Sequence, residues 1–425
     1  RKMKDSGIEW IGEIPEGWRA INPKALFTQR KDKAQKGERQ LTSSQQYGIL
    51  YQDDYMELTG SKVVTVEKDF NILKHVEAGD FVISMRSFQG GLEYSTKSGA
   101  ISSAYVMLVP NLELVYPRFY RWLLKSSVYI DALQRTTNMV RDGQAMRYSN
   151  FAQVRLFTLP LDEQKSRADF LDVKCSSIDK MLSKTRSSIE EYKKLKQAVI
   201  TQAVTKGVRG KREMKDSGVE WIGAIPKDWE IKRLKSFCTI VDCKNRTPDV
   251  FPDGKYTVVR TTCIKDCSFS YEGSYQTDTT NFKAWTLKGQ PHKGDIFFTR
   301  EAPVGEACLV PNADNLCMGQ RVMFFRPEDN SDARYIMYSI YGPLVREYIA
   351  SKNSGSTVGH LKLGQVACIP IFYCPPLEQK EIADYLDAKC AEIDGLVAKK
   401  EQLVKELESY KKSLIYEVVT GKREV

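Results

Sequence analysis

The sequence has no run approaching the roughly 20 apolar residues that a membrane-spanning helix requires. Its opening, Arg1-Lys2-Met3-Lys4-Asp5, has no apolar segment that could act as a signal peptide, so a cytoplasmic chain without membrane contact is expected. Histidine is scarce: His75, His292 and His360 stand apart, with no repeated Asp or Ser context, and a hydrolytic triad is not expected. The chain lacks the Gly-x4-Gly-Lys-Ser/Thr phosphate loop, a glycine-rich cofactor loop after a strand, and the Asn-Pro-Pro-aromatic string of amino methyltransferases. The nearest string, Cys374-Pro375-Pro376-Leu377, lacks both amide and ring and reads as the start of a helix. No cysteine precedes Cys175. Eight of the ten lie between Cys238 and Cys374, and Cys238/Cys243 and Cys263/Cys267 do not have the spacing of a zinc knuckle. Buried reduced thiols are expected, and no metal.

What is present is a duplication. Met3 to Trp18 reads MKDSGIEWIGEIPEGW, and Met214 to Trp229 reads MKDSGVEWIGAIPKDW, a spacing of 211. Gln164 to Asp179 (QKSRADFLDVKCSSID) aligns with Gln379 to Asp394 (QKEIADYLDAKCAEID) at a spacing of 215. A variable block and a helical block therefore occur, and both occur again, within 425 residues that suffice for two to four domains. The repeats match while the blocks between them differ, which suggests one scaffold presenting two unlike surfaces.

The helical blocks are legible from their period. Ile178, Leu182, Thr185, Ile189, Tyr192, Lys196, Val199 and Ala203 step by four and three along one face. Ile393, Val397, Lys400, Val404, Leu407, Lys411, Leu414 and Val418 repeat those steps, the spacing of a coiled-coil seam. Gly207 and Gly421 read as helix stops. Each helix of about 40 residues would span roughly 60 Å at 1.5 Å per residue. A helix with one apolar stripe needs a partner, and its own copy, packed antiparallel about a local two-fold, is favoured over a helix of another protein. The polar seam positions Thr185, Lys196, Lys400 and Lys411 weigh against a purely apolar interface.

The variable blocks read as mixed α and β. Strands are expected at Asp80 to Ser84, Tyr105 to Val109, Asp295 to Thr299 and Arg321 to Phe325. Helices are expected at Tyr116 to Ala132 and at Asp332 to Ala350, the second interrupted near Gly342-Pro343. Pro248-Asp249 with Asp253-Gly254-Lys255 imitates the acidic-plus-lysine pattern of metal-dependent nucleases, but a surface turn is the better reading, because so few residues separate the acids.

A net charge of +10 permits a polyanionic partner, and several polar clusters fit one. Arg141, Gln144, Arg147 and Tyr148 align by position with Ser354, Ser356, Thr357, His360 and Lys362, each stretch just upstream of a Gln-Val pair. Arg86, Ser87 and Gln89 match Arg300 after a strand, with Gln320 and Arg321 near the next one. Ser43, Ser44, Gln45 and Tyr47 form a further cluster, and Lys244, Asn245 and Arg246 another. Arg and Gln can bond base edges in pairs, while Ser, Thr and backbone N–H groups suit phosphates. The case rests on such loops recurring at equivalent places in both copies.

The doubled Trp-Ile-Gly-x-Ile-Pro-x-x-Trp opening, the leads into each long helix (Pro160 to Gln164, Pro376 to Gln379) and the closing Val419 to Arg423 resemble the specificity subunits of type I restriction–modification systems. The resemblance spans the whole chain in the expected order. It implies an α+β fold: two similar mixed α/β target-recognition domains related by a pseudo-two-fold, joined by two long antiparallel helices forming a coiled coil. The first domain would occupy 1–160, its spacer helix 161–207, the second domain 208–375 and its helix 376–425. The resemblance further implies a chain with no catalytic centre, in which each domain reads one half of a split DNA site. Two methyltransferase subunits would carry S-adenosylmethionine and the adenine N6 chemistry, and restriction subunits using ATP and Mg could join. A stand-alone metal-dependent nuclease and a coiled-coil adaptor are the rival readings.

Overall fold

A computed structural model of the chain describes residues 2–66, 70–84, 87–136, 146–353 and 359–425. Two compact units emerge. The first comprises Arg1–Arg186 with Gln402–Val425, and the second Ser187–Glu401. The division cuts through both long helices, so each unit owns a domain, half of one helix and half of the other.

In the first unit a four-stranded sheet holds the core. It is built from β1 (Phe27–Arg30), β2 (Phe81–Ile83), β3 (Glu93–Tyr94) and β4 (Val106–Pro110), in the order β1-β4-β2-β3 with every neighbour antiparallel. Successive residues alternate between two cores, as a period of two requires. Phe81, Ile83, Val106 and Leu108 join the large cluster with Trp18 and the helices, while Val82 and Met107 face a smaller one with Leu41 and Ile49. The expected helix over Tyr116 to Ala132 is broken in two, Pro117–Leu123 and Ser127–Arg135. Ser126 accepts from the Tyr129 N–H and starts the second segment, a cap that no Pro or Gly announces.

The second unit repeats the sheet. It contains β5 (Cys238–Val241), β6 (Ile296–Arg300), β7 (Val304–Leu309) and β8 (Val322–Pro327), in the equivalent order β5-β8-β6-β7 and again antiparallel throughout. Phe298, Met323 and Phe325 pack toward the helices, and Phe297, Val322 and Phe324 toward the opposite face. The second predicted helix is found with its interruption, as Ala333–Ile340 and Pro343–Asn353.

The long helices are α1 (Leu161–Lys206) and α2 (Pro376–Val419). Both begin one residue after Pro160 or Pro375, at positions equivalent under the repeat. Within the first unit α1 and α2 run antiparallel: Arg167 meets the Val418 carbonyl, Lys411 pairs with Asp179, and Arg186 with Glu408. Within the second, Lys196 pairs with Asp394, and Lys400 lies over the Tyr192 ring. Asp179 and Asp394 are equivalent residues, as are Lys196 and Lys411, so each unit contains the same ion pair with the copies exchanged. Every predicted seam position is buried or half-buried. Lys196 and Lys411 keep their stems in the packed face and reach outward to a carboxylate, while Lys400 rests on the Tyr192 ring.

A buried Trp ends each helix in the same manner. Trp18 and Trp229 are fully buried. Gly421 and Gly207, with φ of 76° and 73°, lie so close to them that a Cβ would fall 2.9 and 3.3 Å from the two indoles. Tyr120 and Tyr335 likewise donate to the carbonyls of Phe157 and Phe372 at equivalent positions. All ten cysteines are unpaired thiols. Burial pushes Cys175 up to about 11 and Cys317 up to about 12, which keeps them protonated and unreactive.

Candidate nucleic-acid interface

Antiparallel pairing brings particular loops to one edge of each sheet. In the second unit β5 and β6 both run antiparallel to β8, so the C-terminal ends of β5 and β6 and the N-terminal ends of β7 and β8 share an edge. The segments 242–246, 301–303 and 319–321 emerge there. A bridge between Glu301 and His360 adds 359–362.

The predicted residues of the second unit meet at this edge. Arg300 Nη1 donates to both Asp242 oxygens at 3.1 Å, and Nη2 to Asn245 Oδ1 at 2.8 Å. Gln320 Nε2 donates to the Asn245 carbonyl at 3.2 Å. The Glu301 carboxylate lies 3.3 Å from both Arg321 and His360. Arg321 holds a φ of 75°, a conformation L-residues seldom adopt, and its carbonyl accepts from the Arg300 N–H. Arg300 is largely buried, so its guanidinium shapes the 242–246 loop from within; Lys244, Asn245 and Arg246 are the side chains that the loop turns toward solvent, Lys244 in part.

In the first unit Ser43 and Ser44 end the strand Leu41–Ser44, Gln45 and Tyr47 lie in the turn after it, and this turn meets the segment after β2: a Cβ on Gly90 would fall 2.8 Å from the Gln45 side chain. Gln45, Tyr47 and Gln89 are exposed. Ser87 is buried and its hydroxyl accepts from the Ser84 N–H, while the Tyr148 hydroxyl donates to the Phe27 carbonyl, so both serve the local fold. Arg147 and Lys362 are equivalent: each is exposed, each precedes a short helix (Tyr148–Gln153, Leu363–Ala367), and each backbone N–H is taken by the side chain three residues on. Arg86, Arg141, Gln144, Ser354, Ser356 and Thr357 lie outside the described residues.

Sequence reasoning missed several contributors. Asp242 was not singled out, and neither was Trp285, whose indole lies under Lys244 and Arg246. The one available signal was that Trp285 falls outside the repeated openings. Asp249 and Asp253 occupy a loop and not paired strands, and Thr277 donates to the Asp249 carbonyl. Among the described residues no group of three or more His, Cys, Asp or Glu is placed to hold a metal. No helix of the described chain is long and apolar enough to cross a membrane.

Residues 226–406, most of which lie in the second unit, match the family described as the type I restriction modification DNA specificity domain. Among proteins of Methanocaldococcus jannaschii, the MjaX type I restriction enzyme specificity subunit is 22% identical over 97% of this chain and 95% of its own length. The MjaVIII specificity subunit is 23% identical over 82% and 80%. A chain from a structural study of complex assembly and conformational transition of the type I restriction–modification system aligns with a TM-score of 0.69 and 14% identity, over 96% of this chain and 99% of that one. The HsdS subunit of Thermoanaerobacter tengcongensis aligns with a TM-score of 0.50 and 15% identity, over 96% and 98%. The chain is thus similar to type I restriction enzyme specificity subunits over nearly its whole length, and it shares their fold.

Proposed function

We propose that the chain reads a bipartite, asymmetric DNA site, one domain to each half, within a type I restriction–modification complex. One observation supports this reading: each unit repeats the same antiparallel sheet order, while the polar loops around that sheet differ in side chains between the copies. Equal frames with unequal loops suit two different half-sites. The long helices act as the spacer that sets the gap between half-sites and as the platform for two methyltransferase subunits. Those partners supply S-adenosylmethionine chemistry at adenine N6 on a base extruded from the duplex. Restriction subunits with ATP and Mg join where the system cleaves. This chain contributes recognition and no catalytic group.

The test is an exchange. Residues 208–375 are replaced by the equivalent segment of a relative, the complex is assembled with its methyltransferase subunits, and the methylated sequence is mapped. One half of the site changes and the other stays. Methylation of an unchanged sequence would overturn the assignment of a half-site to this domain.

A further inference from the structure

The loop after β5 is held far more firmly than an exposed basic loop needs to be. Trp285 closes the helix Thr279–Trp285, and its Nε1 donates to the Arg246 carbonyl at 3.2 Å. The Tyr275 hydroxyl donates to the Pro248 carbonyl at 2.8 Å, and Thr277 to that of Asp249 at 2.8 Å. On the other side, Gln320 takes the Asn245 carbonyl. Four successive contacts thus fix the backbone from 245 to 249 before any ligand arrives.

What this frame presents is positive charge. Lys244 Nζ lies 4.6 Å, and Arg246 Cζ 5.4 Å, from the centroid of the same Trp285 ring. An indole face attracts cations while leaving their outer hydrogen-bond donors free. Among the described residues neither Lys244 nor Arg246 makes an ion pair, whereas Arg300 and Arg321 of the same edge are each committed to a carboxylate. Lys244 and Arg246 are therefore cations of this edge that no carboxylate of the described residues holds and that Trp285 aligns side by side.

We propose that Trp285 is a positioning residue that holds Lys244 and Arg246 as a paired clamp for DNA phosphates, supplying affinity to the second domain without choosing its sequence. The inference rests on the proposed DNA-reading role. A lysine is a point charge suited to phosphate, and a loop with its backbone already bonded loses little freedom on binding. The pinned backbone also leaves the loop unable to refit itself to different base edges. Sequence choice in this unit then falls to other side chains of the edge.

The experiment uses the full chain assembled with its methyltransferase subunits, on DNA carrying the sequence that the wild-type complex methylates. Binding is measured across salt concentrations for the wild type, the Lys244→Gln/Arg246→Gln double variant, Trp285→Ala and Trp285→Phe. Each lost phosphate contact lowers the slope of log affinity against log salt by about 0.9. The double variant is expected to lose about 2 in slope, Trp285→Ala to lose part of it, and Trp285→Phe to recover most, all with the methylated sequence unchanged. Wild-type slopes in the surface double variant overturn the clamp while leaving the DNA-reading role intact, and this variant decides the matter if Trp285→Ala does not fold. A changed methylated sequence overturns it too, by assigning Lys244 and Arg246 to bases. A wild-type complex that neither binds nor methylates DNA sinks the proposed function itself.

Discussion

Arg167 is 1% exposed, and its charge is accounted for on every side. It donates to Glu163 at 2.7 and 3.0 Å and to the carbonyls of Val418 and Arg423, and its guanidinium lies 4.9 Å over Trp18. One side chain thereby ties the start of α1 to the end of α2 within the first unit. Replacing it with Met takes the opposing charge from the partly buried Glu163 carboxylate, which retains only neutral donors such as the Trp18 indole N–H, and removes a charged donor from the carbonyls of Val418 and Arg423. Arg167→Met is expected to destabilise the first unit by about 3–5 kcal/mol, read from urea unfolding of the full chain. The second unit solves the same problem with Arg212, which lies over Trp229 and pairs with Glu378, the equivalent of Glu163. The acid recurs at a fixed repeat position, but the arginine comes from another part of the chain. Asp80 and Asp295 show the same pattern, taking Arg30 from β1 and Arg326 from β8 respectively.

His75 carries the pH dependence. Burial opposes its charge, but the carboxylates of Glu38 and Glu77, each 3.0 Å from a ring nitrogen, outweigh that and raise its pKa above the ordinary 6.5. The stability this charge adds is fully present below the unfolded value and is lost as pH rises through the folded one. The stability difference between wild type and His75→Gln should therefore hold steady just below the ordinary value of 6.5 and shrink as pH rises above it. A difference that grows with pH would show that the neutral ring is the form the site prefers.

At the scale of elements, the long helices show which interactions hold them and which only align them. Lys411–Asp179 and Lys196–Asp394 are partly exposed pairs, with the carboxylates 53% and 52% accessible. Double-mutant cycles on either pair should return a coupling of about 0–1 kcal/mol. The apolar seam, including Ile178, Leu182 and Leu414, carries the packing, and the ion pairs favour one register over its neighbours. Gly421 is a different case, since its φ is left-handed and a Cβ would meet Pro15 at 2.5 Å. Gly421→Ala is expected to destabilise by more than about 1 kcal/mol, measured against an exposed Gly→Ala control in the same assay. Helix limits and seam were legible because the apolar period of four and three is local and long. The break between Pro117–Leu123 and Ser127–Arg135 was not, because a single serine cap carries it.

For the whole molecule, the duplication is the organising fact. If the helices set the gap between half-sites, removing one heptad from both should alter that gap while both half-sites stay fixed. Methylome sequencing of cells carrying the shortened chain checks this, and an unchanged gap would assign the spacing to the partner subunits.

The sequence by itself determined the repeat, the extents of the two long helices and the central strands, since periodic burial and repeated strings are written residue by residue. Only the tertiary structure decided which loops meet and what each charge is doing there. Arg300 and Arg321 were both candidates for DNA contact along the chain, yet one is largely buried against Asp242 and the other shares Glu301 with His360. Lys244 and Trp285 are brought together across a long stretch of chain. Such contacts follow from strand order and loop closure, and no local period of the sequence encodes them.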